Sequence, residues 1–269
     1  MYGTKPHAAS CNRQRSNGVP PLAGAKADPR RIALLASGRR HGPITRLVTP
    51  WDIGELTKPF IFLDYAEVAP GPRPLFGICR HSSTATLTVA LNDAGPASGE
   101  PQRAFQLCLA LSPADESSQE TNEHVASLEV EEVGPVRVIL GQFGQTRSRI
   151  SNILADINYF HVRLKEGQRW RYVAPDGHNV TWLAVDHGGL QLQEGERVYW
   201  EQIAVFGDSA GVIEAQAEGD TSFVLGSARR HRHPLVHEEH SVYTGLSTIA
   251  QGEAEVPRIA PRLRVQGSR

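Results

Sequence analysis

Thr84 to Leu91, TATLTVAL, alternates threonine with alanine, leucine and valine. Successive side chains of an extended strand point to opposite faces, so this pattern predicts a half-buried strand. AFQLCLAL alternates less cleanly and suits a more buried strand. ITRLV and FIFLDY are short apolar runs with β-branched and aromatic residues, bounded by Pro and Gly, and also read as strands. The series continues with SLEVEEV, VRVILGQF, NYFHVRL, RWRYV, VTWLAVDHG, GLQLQ, QIAVFG, GVIEAQ and TSFVLGSA. The turn signals EGQ, PDG, HGG, EGER, GDSAG and EGD separate many of them. Short strands recurring at roughly 8–12 residues predict an all-β sandwich or barrel. One helical pattern stands out, GLSTIAQGEAEV near the C-terminus, with Ser247 as its N-cap.

The rhythm is uneven. From 157 to 228 it runs nearly unbroken and predicts a complete β-barrel, whereas 44–140 holds fewer strands and more loop. Residues 1–34 are expected to be disordered: they open with a stretch rich in Pro, Gly, Ala, Arg and Asn that lacks apolar periodicity. The 269 residues suffice for one large or two small domains. A net charge of −1 gives no global field toward nucleic acid or anionic lipid. No apolar run is long enough to span a bilayer, and the N-terminus lacks a signal-peptide core. Three distant cysteines, Cys11, Cys79 and Cys108, argue against a disulfide framework and for a reducing, cytoplasmic setting.

Cys79 and His81 are the pair with metal chemistry. They lie two apart before TATLTVAL, so an extended backbone turns both the same way. A structural zinc site needs four ligands, and His124 is a distant third donor. His231, His233, His237 and His240 form a second cluster, but Arg229, Arg230 and Arg232 are interleaved and oppose a cation. That segment is expected to be a solvated connector. Trp170, Tyr172, His178 and Trp182 offer either a pocket lining or ordinary barrel core, and core is favoured. No GxSxG, P-loop or GxGxxG element is present, so no catalytic residue is assigned.

Several blocks, in order, resemble pirin-like proteins: HGPITRLVTPWDIGELTKPFIFLDYAEV, HSSTATLTVAL, FQLCLALSPADE, GPVRVILGQFGQTRSRI and YFHVRLKEGQRWRYVAPDGHNVTWLAVDHGGLQL. The resemblance covers about 35 to 263. It implies a bicupin, two jelly-roll barrels in tandem, with a short C-terminal helix here. On that basis the domains are 35–150 (N-terminal cupin) and 151–269 (C-terminal cupin). Pirins carry iron in the N-terminal barrel, held by three His and one Glu, and some show quercetin dioxygenase activity while others are described as transcriptional co-regulators. Carried over, the second His of the family's H-P-H element falls on His81 and the first on Cys79. The strand block bearing the other two ligands is absent, because the chain passes from Asn92–Asp93 through AGPASGEPQR to AFQLCLAL.

Two functions follow. One is a non-catalytic binding or regulatory protein with a degenerate metal site at Cys79 and His81 and no cofactor, taking a small apolar or phenolic ligand or a protein partner. The other is a metal-dependent quercetin-type dioxygenase, as the resemblance alone implies. The missing block is also expected to leave the leucines of β-strand sequences TLTVAL and AFQLCLAL partly uncovered, and so to favour a homodimer or mobility in that half.

Overall fold

The computed structural model describes residues 28–69, 84–92, 99–111, 122–125, 130–150, 156–238 and 241–243. Its centre is a seven-stranded sheet in the order β1 (Ile32–Ser37), β17 (Gln202–Phe206), β14 (Val180–His187), β19 (Thr221–Ala228), β12 (Ile157–Leu164), β9 (Val136–Leu140) and β8 (Glu131–Val133). Both faces of this sheet are covered. That is why INYFHVRL and VTWLAVDH read as apolar runs: all but one residue of each is buried.

One face packs on a four-stranded sheet, β13 (Arg169–Val173), β18 (Val212–Ala217), β15 (Gly189–Leu192) and β16 (Arg197–Tyr199). Phe160, Leu183, Phe223 and Leu225 meet Trp170, Tyr172, Leu190 and Ile213 there. RWRYV shows what a one-sided strand looks like: Trp170 and Tyr172 are buried while Arg169, Arg171 and Val173 face water. These two sheets form the C-terminal barrel. Its strands between 157 and 228 run without a gap, and β1, β8 and β9 join it from outside that interval. β1 starts at Ile32, inside the stretch expected to be disordered. IALLAS alternates, and all six residues sit in register against or beside β17. Two short hairpins complete the described strands, β10 (Gln142–Phe143) with β11 (Thr146–Arg147), and β20 (Val236–Glu238) with β21 (Ser241–Tyr243).

The other face of the central sheet packs on a six-stranded sheet, β2 (Arg39–His41), β3 (Ile44–Val48), β4 (Phe60–Val68), β6 (Gln102–Ala110), β5 (Thr84–Ala90) and β7 (Asn122–Val125). Phe60, Leu63, Leu87, Phe105 and Leu107 meet Tyr159, Trp182, Ile203 and Val224. The Trp182 ring sits edge-on to Phe60 at 5.2 Å. A four-residue helix, α1 (Gly54–Thr57), precedes β4.

β5 and β6 pair directly, from Thr84 opposite Ala110 to Ala90 opposite Ala104. The apolar face expected to stay open is therefore closed within the chain. Leu87, Val89, Leu91, Leu107, Leu109 and Leu111 are all buried. The physical reason is Asn92. Its Nδ2 donates to Pro101 O at 2.9 Å and its Oδ1 accepts from Arg103 N at 3.0 Å. With Leu91 N donating to Arg103 O, these bonds fix both strand ends without a tight turn. Among the described residues, Leu235 covers part of the outer face of this sheet. Cys79, His81 and the helical pattern around Ser247 lie outside the described residues.

The His-rich segment is exposed at Arg232, His233 and Pro234, as expected of a connector, but it is anchored on either side of them. His231 Nε2 lies 3.1 Å from Leu111 O, and Arg230 donates to Glu55 O and Leu56 O. Lys58 Nζ donates to His233 O, and Leu235 is buried against Ile61, Phe62, Cys108 and Ala110. The segment is a strap holding the C-terminal half onto the outer face of the six-stranded sheet. The sequence hid this because the strap binds through backbone carbonyls.

Candidate functional site

Among the described residues, no three His, Cys, Asp or Glu side chains converge on one point. Several of the described donors have other partners. Asp64 accepts two bonds from Arg46, both at 2.9 Å. Cys108 faces Thr86 Oγ1 at 3.7 Å. His161 is bonded at both ring nitrogens, to Arg137 at 3.0 Å and Ser222 at 2.7 Å. His124 lies on β7, whose backbone runs parallel to β5. The described residues thus do not supply the ligand set that the pirin-like resemblance implies.

The structure brings part of the aromatic cluster together. His178 Nδ1 lies 2.8 Å from Ser227 Oγ, and Ser227 Oγ lies 2.6 Å from the Tyr172 hydroxyl. Asn158 Nδ2 donates to that hydroxyl at 3.1 Å, and Asn158 Oδ1 accepts from Gln142 N. The result is a buried polar seam across one end of the C-terminal barrel. Trp170 and Trp182 are core, as favoured from the sequence. Ser227 and Asn158 are the members that sequence reasoning missed, and a lone Ser at a strand end carries no signal.

Each member is placed by a strand end: Asn158 at the start of β12, Tyr172 near the end of β13, Ser227 near the end of β19. His178 comes from the PDG turn before β14. Arg30 closes the far side of the seam. It donates to Gly207 O at 2.8 Å, Asn179 O at 3.2 Å and His178 O at 3.4 Å. Burial holds the His178 imidazole below its ordinary pKa, and Arg229 and Arg30 add to that against Asp156. Burial likewise raises the Tyr172 phenol, while hydrogen bonds from Ser227 and Asn158 pull it back. Both groups are neutral near pH 7.

At the other end of the seam the surface opens into a cleft of about 330 Å³, lined by Gln142, Phe143, Asn158, Tyr172, Val173 and Pro175 among others. The β10–β11 hairpin forms one wall. Gly141 sets its position with φ of +79°, and a Cβ there would run into Asn158 Oδ1 and Ile157 O. A larger cleft, about 640 Å³, lies on the outer face of the four-stranded sheet. Its polar lining is exposed, and Arg171 already pairs with Glu214 at 3.5 Å.

A second polar cluster lies buried between the central and six-stranded sheets. Arg137, His161, Asp186 and Ser222 face it from the central sheet, and Tyr65, Glu67 and Arg103 from the other. Arg137 reaches across to Ala90 O at 3.2 Å. The cluster ties the two sheets together and has no cleft leading to it among those described.

No protein-family model matches the sequence. No curated protein matches it either. The fold is similar to that of quercetin 2,3-dioxygenase from Acinetobacter baumannii, over 86% of this chain and 97% of that one, with TM-score 0.75 and 16% identity. A second structure of quercetin 2,3-dioxygenase from that organism matches over 84% of this chain and 88% of that one, at TM-score 0.68 and 15% identity. GK1651 from Geobacillus kaustophilus matches over 77% of this chain and 99% of that one, at TM-score 0.63 and 16% identity. The likeness is one of fold, and the fold is the all-β cupin architecture expected from the sequence. Among the described residues no helix is long and apolar enough to cross a membrane.

Proposed function

We propose that this chain is a pirin-like bicupin that acts in the cytoplasm by binding, with a degenerate metal site at Cys79 and His81. The β5–β6 hairpin is the observation that carries this reading. Asn92 is bonded to Pro101 and Arg103, so the ends of the two strands are tied to each other, and only the residues from Leu91 to Pro101 join them. The strands that would bring the other two ligands have no place in it. Non-haem iron chemistry with oxygen needs several protein ligands and an open position. Two side chains two residues apart do not complete such a set, and among the described residues no three donors converge.

A quercetin-type dioxygenase is the second reading. The fold likeness to quercetin 2,3-dioxygenase favours it, and fold alone does not fix chemistry. Oxygen uptake with quercetin, on the full chain supplied with ferrous iron, separates the two. The binding reading expects no uptake above the protein-free rate. Turnover that His81→Ala abolishes would sink it.

A further inference from the structure

We propose that the cleft walled by Phe143 and Val173, with Asn158 and Tyr172 at its back, binds a neutral, flat ring compound bearing a hydroxyl or carbonyl on its edge. This deepens the binding reading above and rests on it.

Size comes first. About 330 Å³ lies at the small end of ligand sites and suits one or two fused rings. Charge comes next. No residue lining the cleft is charged. A charged ligand would lose hydration there and gain no counter-ion.

Shape follows from the apolar walls. Val173 is 53% exposed, an aliphatic side chain left facing the cleft and solvent at the end of β13. Phe143 is half-buried and its ring is fixed, stacked near Trp170 at 6.4 Å and edge-on to Phe160 at 5.5 Å. Tyr172 in turn stacks parallel to Trp170 at 5.9 Å. A rigid aromatic wall presents a ring face at little entropic cost, which favours a flat ligand.

Hydrogen-bonding capacity fixes the ligand's edge. Asn158 carries two amide hydrogens, and the bond to Tyr172 uses one. Gln142 Nε2 donates to Gly144 O at 2.7 Å, which leaves its Oε1 to accept. One donor at the back of the cleft and one acceptor at its mouth therefore face a space whose apolar walls are Phe143, Val173 and Pro175. A hydroxyl or a ring carbonyl matches them. The seam behind Tyr172, through Ser227 to His178, holds the phenol in place.

The test uses the full chain and 2-naphthol as probe, followed by ligand-observed saturation-transfer NMR and titration at pH 7, with the anionic 2-naphthoate beside it. The expected result is saturable 2-naphthol binding with Kd on the order of 0.1–1 mM, and 2-naphthoate weaker by about tenfold or more. Val173→Glu places a carboxylate at an exposed lip without touching the core, and should weaken 2-naphthol about tenfold while leaving the melting temperature unchanged. Phe143→Ala should weaken it similarly. Arg169→Ala, on the outer face, should not. The proposal is overturned if 2-naphthol fails to saturate, if 2-naphthoate binds as well, or if Val173→Glu leaves 2-naphthol binding unchanged. Oxidation of quercetin by a chain that still binds 2-naphthol here would remove the non-catalytic reading and leave this site standing.

Discussion

Arg103 Nη1 lies 3.6 Å from Asp186 Oδ2, across the boundary between the six-stranded and the central sheet. Asp186 is buried, and its carboxylate faces Arg103 and Ser222. Burial raises its carboxyl to about 6, against the lowering effects of Ser222, Arg103 and His187. Sharing Ser222 with it, His161 is held well below its ordinary value, first by burial and then by Arg137, Arg163 and Arg103. The contact between sheets is thus proton-linked.

The sign of the Asp186 effect is set by its raised value. Its contribution is full below about 3.8 and is lost as pH rises through about 6. Asp186→Asn removes that loss. Urea unfolding should show the variant gaining on the wild type as pH rises from 4 to 7, by up to about 3 kcal/mol. Arg103 is partly exposed and can turn to water when its partner is neutral. A gap that stays constant across this range would contradict the linkage. His161 acts the other way: its lowered value costs stability as pH falls below about 6.5, in both proteins alike.

Arg30 is 4% exposed and bonds three carbonyls from two loops at the end of the barrel. Arg30→Ala should cost about 2–4 kcal/mol in chemical denaturation, because buried carbonyls lose charged donors. Arg30→Lys should recover less than half of that, since an ammonium cannot span the same fork of acceptors. Full recovery by lysine would mean that charge alone matters.

Gly226 lies opposite both Tyr159 and Trp182 in the central sheet. A Cβ there would meet the Trp182 ring at 2.5 Å. That ring is fully buried and carries the contact to Phe60. Gly226→Ala should destabilise the fold by about 2 kcal/mol or more, with a changed tryptophan emission spectrum. A variant with wild-type stability and emission would show that Trp182 has room to move.

Much of this fold was legible as strand–turn rhythm. RWRYV, VTWLAVDHG, GLQLQ, QIAVFG and TSFVLGSA all became strands of the C-terminal barrel. ITRLV, FIFLDY, TATLTVAL and AFQLCLAL became the heart of the six-stranded sheet. IALLAS was lost because the Pro- and Arg-rich stretch before it masks a six-residue alternation. β7, β10, β11 and β16 are two to four residues long, too short for any period to show. Closure of β5 on β6 was misjudged because a Gly/Pro-rich linker conceals one decisive side chain, Asn92. The site divides in the same way. Tyr172 and His178 stood out as an aromatic and a titratable group in one segment, whereas Ser227, Asn158 and Arg30 join them through sequence separations of 49, 14 and 148 residues that no local pattern reveals.

The most direct measurement for the binding reading is metal content. The full chain is produced with iron, nickel, zinc and copper supplied in turn, desalted, and subjected to elemental analysis. The account predicts far less than one equivalent of each metal per chain, because Cys79 and His81 alone cannot complete a site. One tightly held metal ion per chain, released by His81→Ala, would contradict it.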